Sequence, residues 1–370
     1  MIVKDENKLE NEPELLKLML QDLEKAPKLY RPSAYWANYE KKFVSELKKL
    51  GLKDFRRRKN SVFQSFSTYD LDPIDRYLRK LYRDPLEGIF PPSKSALFKR
   101  FIRFGIQRKS FKKMIKQISR LYFGITLEQK LFSMYEFAKY YGIANEAKPI
   151  SNLSDSLIGS PKNTLKIENN VYTFTLLRYY LLYAQTCKTI DYDSIESVME
   201  IGAGGCGQVE VLKKLYPHLT FFLFDIPPQL YVGEQYLKSI FPNDVISYRE
   251  TRNMNEAPIN IKGKIFIFAP WHLEKIKNLS YDLFWNSSSF QEMTSEIVLN
   301  YLKFVNKQTK KFVFLHNEMN PISGTKINFD VGKKTYIEGL KQFELIKYEP
   351  SAGQFLDSHT NIVSTIWKNH

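Results

Sequence analysis

Residues 200–207 combine an acidic side chain with closely spaced glycines at the end of an apolar run. Glycine lets the backbone approach a ligand that a Cβ atom would push away, and the start of a following helix offers N–H groups to that ligand. A second apolar run ends at Asp225, eighteen residues after Gly207. A carboxylate there can accept hydrogen bonds from both hydroxyls of a ribose. Together the two segments predict a βαβ unit that binds a nucleotide-type cofactor.

The spacing Gly202-x-Gly204-x-x-Gly207 also matches the fingerprint of dinucleotide-binding folds, so NAD is one interpretation. Glu200, two positions before the first glycine, distinguishes the cofactors. Dinucleotide folds usually carry an apolar residue there, whereas S-adenosylmethionine enzymes usually carry Asp or Glu. A carboxylate attracts an ammonium or sulfonium group and repels a pyrophosphate. We therefore favour S-adenosylmethionine, with NAD and a purely structural glycine turn as alternatives.

Length and composition restrict the class of protein. The 370 residues with 43% hydrophobic content suffice for one large core and a second region. No apolar run reaches the roughly 18–20 residues that span a bilayer, and the first residues are charged, unlike a secretory signal. We therefore expect a cytoplasmic protein. Cys187 and Cys206 are too few for a disulfide framework or a cysteine zinc site, and no cluster of carboxylates predicts a metal site.

The net charge of +15 is concentrated in the first part of the chain. Residues 1–165 hold 33 Lys and Arg against 19 Asp and Glu, and residues 88–127 hold ten basic residues and no acid. This segment predicts a helical face that packs inward with a solvated basic rim. Peripheral contact with anionic lipid at the inner face of the membrane is an alternative, as is a lid, a docking surface or a homodimer contact. Because no nucleic-acid motif accompanies the charge, we expect no nucleic-acid partner.

The order of predicted elements divides the chain into a helical, basic region (1–165) and an α/β region (166–370), with a Ser-, Asn-, Gly- and Pro-rich boundary at 151–163. In the second region helices alternate with strands, and two final strands form an antiparallel pair at the sheet edge. The strands are predicted at 197–201, 220–224, 264–269, 281–286, 311–316, 343–348 and 361–367, with 245–249 as an additional short one. We predict a Rossmann-like, mainly parallel sheet of seven strands, as in class I methyltransferases, rather than two mononucleotide-binding halves.

Several motifs are shared with a known family. They are Glu200-Ile-Gly-Ala-Gly, Phe224-Asp-Ile-Pro, Ala269-Pro-Trp-His-Leu-Glu, Asp282-Leu-Phe-Trp-Asn and Ser289-Phe-Gln-Glu-Met, with Tyr35-Trp36 and Phe55-Arg-Arg upstream. In these motifs the chain resembles the bacterial sugar O-methyltransferases associated with surface-polysaccharide gene clusters. One departure is Gly204-Gly-Cys-Gly207, because many methyltransferases place the third glycine two residues after the second.

The resemblance implies S-adenosylmethionine-dependent methylation of a sugar hydroxyl, with a free, nucleotide-linked or lipid-linked sugar or glycan as acceptor. A non-sugar acceptor, or NAD-dependent oxidation of a nucleotide sugar, stays open. Methyl transfer needs the acceptor oxygen held in line with the methyl group, and a base that removes the hydroxyl proton adds on the order of a hundredfold or more.

Ligands of such sheets bind outside the carboxyl ends of the strands, so we expect the site there. The expected cofactor contacts are Glu200 (aminoacyl part), Gly202, Gly204 and Gly207 (loop), Asp225 and Ile226 (ribose), Pro270 and Trp271 (adenine) and Asn286. Glu292 and His316 are the two candidates for the base. For Glu292 the alternative is a capping box with Ser289 at the start of a helix.

Overall fold

The computed structural model describes residues 9, 11–32, 34–58, 63, 127–258, 260–321, 330–352 and 362–370. The basic segment 88–127 lies outside these residues apart from its last position. Among the helices that the structure describes, none combines the length and apolarity needed to cross a membrane.

Within the described residues, eight strands form the central sheet, preceded by a small hairpin near the predicted region boundary. The hairpin comprises β1 (Leu165–Ile167) and β2 (Asn170–Tyr172). The sheet comprises β3 (Ser197–Ile201), β4 (Thr220–Phe224), β5 (Val245–Ile246), β6 (Ile265–Phe268), β7 (Tyr281–Ser287), β8 (Thr309–Glu318), β9 (Phe343–Pro350) and β10 (Ile362–Asn369). Their order across the sheet is β5-β6-β4-β3-β7-β8-β10-β9.

Strands β3 to β8 pair in parallel, whereas β10 runs antiparallel to both of its neighbours, β8 and β9. Strands β4 and β6 are buried along their whole length, as expected when helices cover both faces of a parallel sheet. The predicted antiparallel pair at the edge is confirmed, and so is the mainly parallel α/β sheet preceded by helices. The predicted number of seven strands is wrong, because residues 245–246 add a short edge strand beside β6.

Helices surround the sheet and form most of the described N-terminal part. They are α1 (Pro13–Lys25), α2 (Ala34–Leu50), α3 (Leu127–Ala144), α4 (Phe174–Thr186), α5 (Gly207–Leu215), α6 (Pro227–Ile240), α7 (Tyr248–Thr251), α8 (Ser295–Gln308) and α9 (Lys333–Gly339). Short 3-10 turns occur at Lys28–Tyr30, Phe55–Arg57, Ile150–Asn152, Pro270–Glu274 and Phe290–Glu292.

The N-terminal helices pack directly on the α/β region. Helix α1 buries Leu15, Leu16 and Met19 and packs against α6, and helix α3 packs against α4. Asp22 of α1 forms an ion pair with Arg252 at 2.9 Å. This part of the chain is therefore in contact with the helices next to the glycine loop.

Candidate active site

Two carboxylates, Glu200 and Asp225, lie at the carboxyl ends of neighbouring strands. Glu200 is aligned with Leu223 in the parallel β3–β4 pair, and Asp225 follows β4 directly. Side chains alternate along a strand, so Glu200 and Asp225 point to the same face. Glu200 is 4% exposed, and Asp225 is half-buried. Within the described part of the chain, Glu200 accepts no hydrogen bond and neither carboxylate has a cationic partner.

This environment penalises negative charge. Burial, with a further contribution from the nearby Asp225, raises the pKa of Glu200 to about 8. Burial also raises the pKa of Asp225 to about 6, although hydrogen bonds from the Gly204 and Ile226 amides act in the opposite direction. At neutral pH the pair therefore holds a proton that a cation placed between the carboxylates would displace.

The glycine loop after β3 contains two glycines with left-handed backbone. Gly202 has φ +76°, donates its N–H to the Phe224 carbonyl at 2.7 Å, and would place a Cβ atom 2.3 Å from the Ser289 hydroxyl oxygen. Gly204 has φ +50°, yet a Cβ atom there would meet nothing within 4 Å. Its N–H donates to the Asp225 carboxylate at 2.7 Å. Gly202 is thus required by conformation and by space, and Gly204 by conformation alone.

The departure from the usual glycine spacing has a structural explanation. Cys206, two residues after Gly204, adopts φ +56°, the conformation that glycine would supply at this position. Gly207 is instead the first residue of α5, where a Cβ atom would lie 2.3 Å from the Tyr179 ring of α4. Gly207, which we expected to contact the cofactor, thus allows close packing of α4 and α5.

Asn286 connects three of the strands. Its Nδ2 donates to the Ile201 carbonyl at 2.8 Å and to the Ser289 hydroxyl at 2.6 Å, while its Oδ1 accepts from Asn317 at 2.9 Å. The side chain is fully buried. Asn286 was expected at the cofactor, but its amide is engaged in holding the end of β7 against the glycine loop and β8.

Glu292 lies in the short turn after β7 and close to Asp225. Burial raises the pKa of Glu292 to about 7, helped by the charge of Asp225 and opposed by a hydrogen bond from the Trp36 side chain. The capping-box alternative is wrong, because the Ser289 hydroxyl donates to the Ile201 carbonyl at 3.1 Å instead. Helix α8 begins only at Ser295, with Thr294 as its cap. Glu292 therefore joins Glu200 and Asp225 in one acidic group.

His316, the second candidate base, lies near the end of β8. It is 2% exposed, and its Nδ1 lies 3.3 Å from the Ser364 hydroxyl of β10. Burial and the nearby Arg178 cation lower the pKa of His316, so its imidazole is neutral at physiological pH. His316 is aligned with Ser287 in the β7–β8 pair and with Ser364 in the β8–β10 pair. The structure thus brings Glu292, but not His316, into the acidic group.

The residues expected around the adenine and ribose lie at the ends of β4 and β6. Ile226 donates its N–H to Asp225 at 2.7 Å and precedes the first residue of α6. Pro270 and Trp271 open a 3-10 turn directly after β6, and Trp271 is 4% exposed. His272 faces two backbone carbonyls, of Ala269 at 3.0 Å and Arg252 at 3.1 Å, which explains its burial without a ligand. In the described residues, no group of three or more His, Cys, Asp and Glu has a metal-binding arrangement.

Arg56 belongs to the upstream Phe55-Arg-Arg motif, for which the sequence suggested no role in the site. It is 4% exposed, forms a two-pronged ion pair with Asp155, with Nη2–Oδ2 at 2.9 Å, and donates to the Ser156 carbonyl at 2.7 Å. It lines a small pocket together with Gly205 and Gly207 of the loop. A buried Arg followed by two exposed or half-exposed Arg residues gives no local signal that would have identified it.

No family model matches the sequence, and a comparison with curated proteins found no match. Among solved structures, the chain is similar to the mitomycin 7-O-methyltransferase MmcR, with 10% identity, a TM-score of 0.37, and coverage of 53% of this chain and 54% of MmcR. The chain thus spans about half the length of MmcR. An S-adenosylmethionine-dependent methyltransferase from Clostridium acetobutylicum has 9% identity and a TM-score of 0.36 over 52% of this chain and 90% of its own. The structure of PigF with SAH has 12% identity and a TM-score of 0.34, and the match covers 50% of this chain and 60% of PigF.

Proposed function

We propose that this protein is an S-adenosylmethionine-dependent O-methyltransferase that acts on a sugar hydroxyl in bacterial surface-polysaccharide biosynthesis. The observation that supports this most strongly is the pair Glu200 and Asp225, two buried carboxylates at adjacent strand ends without a cationic partner among the described residues. A site of this kind favours a ligand that brings its own positive charge.

The electrostatics separate the two cofactor alternatives. Two unit charges 4 Å apart interact with about 4 kcal/mol at an effective dielectric constant of 20, so the sign of the ligand's charge dominates selection here. S-adenosylmethionine carries an ammonium and a sulfonium group, whereas NAD would bring a pyrophosphate toward carboxylates that already repel each other. The reversed strand β10 also argues against two mononucleotide-binding halves.

The residues present suit the parts of S-adenosylmethionine. Glu200 is assigned to the ammonium of the aminoacyl part, and Gly202 and Gly204 let the backbone approach that part. Each Asp225 oxygen accepts one backbone N–H and has a remaining lone pair for a ribose hydroxyl. Ile226, Pro270 and Trp271 are assigned to the neighbouring ribose and adenine. The bound cofactor supplies a methyl group on a positively charged sulfur.

The base is assigned to Glu292 in preference to His316. A pKa of about 7 lets Glu292 accept a proton near neutral pH, and its electrostatic coupling to Asp225 puts it close to the cofactor carboxylates. His316, buried against Ser364, is assigned a supporting role at the end of β8. The sugar acceptor is supported by the motif resemblance.

Calorimetry with S-adenosylmethionine and with NAD tests the cofactor. We expect binding of S-adenosylmethionine only, and at least tenfold weaker binding by Glu200→Gln, since one lost charge pair is worth about 1.4 kcal/mol or more. Glu196→Gln is the matched control, because Glu196 immediately precedes the same strand at its far end and is exposed. Binding of NAD alone would refute the proposal.

A methyl-transfer screen with labelled cofactor tests the acceptor, using nucleotide sugars, lipid-linked glycans and small non-sugar alcohols and phenols. Labelling of a sugar by wild type, with a loss of about a hundredfold in Glu292→Gln, supports the assignment. Labelling of non-sugar compounds alone would leave methyl transfer intact and refute the sugar acceptor.

A further inference from the structure

Tyr30, in the 3-10 turn between α1 and α2, connects two elements of the α/β region. Its hydroxyl donates to the Glu274 carboxylate at 2.9 Å and accepts from the Asn300 side-chain amide at 3.1 Å. Glu274 ends the 3-10 turn after β6, and Asn300 lies in α8. Tyr30 is 1% exposed, and burial, reinforced by Glu274, raises its pKa. The hydroxyl therefore stays protonated and serves both hydrogen bonds.

The two connected elements follow strands on opposite sides of the cofactor carboxylates. In the sheet order β6-β4-β3-β7, the strands that lead to Asp225 and Glu200 lie between β6 and β7. Neighbouring strands are about 4.8 Å apart, so roughly 14 Å separate β6 from β7. The turn of Glu274 follows β6, and α8 follows β7. One hydroxyl of the N-terminal region thus joins the two flanks of the proposed cofactor site.

Ring packing extends this connection to the turn of Glu292. The Tyr30 ring lies 5.9 Å from the Tyr301 ring of α8, and Tyr301 stacks on Phe290 with centroids 6.2 Å apart and planes 4° from parallel. Phe290 precedes Glu292 by two residues. Tyr301 is 4% exposed, and burial, the Tyr30 hydroxyl and the Asp225 carboxylate together raise its pKa. Tyr30 therefore contacts α8 directly and, through Tyr301, the turn of the proposed base.

We propose that Tyr30 is a positioning residue for methyl transfer: its hydroxyl fixes the turn after β6 relative to α8 and so aligns the adenine end of the site with the acceptor end. This inference rests on the proposed function, in which Pro270 and Trp271 contact the adenine and Glu292 is the base. It deepens that function, because the segment between α1 and α2 then holds the two ends of the site together. Methyl transfer depends on such alignment, since the acceptor oxygen must lie in line with the methyl carbon and the sulfur.

Hydrogen exchange measured by mass spectrometry, with and without S-adenosylmethionine, tests this link without a known acceptor. A cofactor that orders the turn after β6 should also order α8, because Tyr30 is bonded to both. In wild type we expect exchange to slow by about fivefold or more both at 271–276 and at 298–305. Tyr30→Phe keeps the ring and removes both hydrogen bonds. In this variant the slowing at 271–276 should remain, and the slowing at 298–305 should be lost.

Tyr248→Phe is the matched control. Tyr248 is also buried, and its hydroxyl donates to Asp22 at 3.0 Å, a second tyrosine–carboxylate bond between the N-terminal region and the α/β region. That bond joins α1 to α7 rather than the turn after β6 to α8. Tyr248→Phe should therefore respond to S-adenosylmethionine as wild type does.

The outcomes separate this inference from the proposed function. Equal slowing at 298–305 in wild type and Tyr30→Phe, or slowing in wild type that is confined to 271–276, would overturn the inference and leave the cofactor proposal intact. Loss of the slowing at 298–305 in Tyr248→Phe as well would mean general anchoring of the N-terminal region and would also overturn it. If S-adenosylmethionine slowed exchange nowhere in wild type, the proposed function would fail and the inference with it.

The reaction gives a second readout once the screen has identified the sugar acceptor. Tyr30→Phe and Glu274→Ala should each lower kcat by about tenfold, because both remove the bond to the turn after β6. Glu274→Gln retains an oxygen that accepts from the Tyr30 hydroxyl and should keep kcat within about twofold of wild type. An unchanged kcat in Tyr30→Phe, or an equal loss in Glu274→Gln and Glu274→Ala, would overturn the inference.

Discussion

The two halves of the candidate site are built differently. The cofactor half consists of Glu200, the glycine loop and Asp225, which follow one another within 26 residues at the ends of two neighbouring strands. The proposed acceptor half centres on Glu292 in a short turn after β7, and Tyr30 of the N-terminal region reaches that turn through Tyr301 and Phe290. The first half depends on local backbone geometry, and the second depends on the packing of distant segments. Variants that separate local from long-range contributions therefore test this comparison.

The largest expected effect concerns the long-range contacts. Arg56→Leu leaves Asp155 as a buried charge without its partner, and we expect the free energy of unfolding to fall by about 3–5 kcal/mol. Arg57→Leu is the matched control, because Arg57 is exposed and should change stability by less than about 0.5 kcal/mol. Urea denaturation measures both. If both variants changed the free energy of unfolding equally, the Arg56–Asp155 ion pair would not be what stabilises the N-terminal part.

The local half is tested by two glycines with similar backbone conformation. Gly202→Ala adds a clash with Ser289 to the strain of positive φ and should cost about 3 kcal/mol, whereas Gly204→Ala carries only the strain, about 1–2 kcal/mol. The difference in the free energy of unfolding therefore isolates the steric contribution. If Gly204→Ala were as destabilising as Gly202→Ala, the result would contradict the finding that a Cβ atom at position 204 meets no neighbouring atom.

A smaller effect of opposite sign is expected for Glu200→Gln without cofactor. The pKa of Glu200 is raised from its ordinary value of 4.5 to about 8 in the folded protein. The folded state therefore retains a proton that the unfolded state releases, and wild-type stability falls as the pH rises through this window. Glu200→Gln should unfold at a higher temperature than wild type at pH 8 and at a similar temperature at pH 4. A wild type that is the more stable of the two at pH 8 would contradict the buried, unpaired carboxylate.

The strands that carry Glu200 and Asp225 were predicted correctly because their signals are local. The strands around Glu200 and Asp225 lie where the apolar runs placed them, and the final antiparallel pair was recognised from its polar Gly-containing loop. Two local details differ from the prediction: the additional strand suggested at 245–249 is limited to residues 245–246, and Cys206 adopts a conformation typical of glycine. The periodicity of apolar residues reveals neither the exact length of so short a strand nor the backbone conformation of a single residue.

The acceptor half was only partly predictable. Glu292 was identified as a candidate, but the turn that carries it packs on Tyr301, which in turn contacts Tyr30 of the distant N-terminal region. One helix from 290 was expected, whereas Ser289 bonds to the glycine loop and α8 starts at Ser295. Arg56 and Asp155 likewise meet only in the folded chain. Contacts of this kind have no periodicity or spacing from which they could be inferred.

The most direct test of the central claim is proton release when S-adenosylmethionine binds. Calorimetry at pH 7 in buffers of different ionisation enthalpy gives the number of protons released. A cation next to Glu200 and Asp225 should displace the proton that the pair holds, so we predict net release by wild type and less release by Glu200→Gln. Binding without proton release, or equal release by both proteins, would contradict a site that selects its cofactor by positive charge.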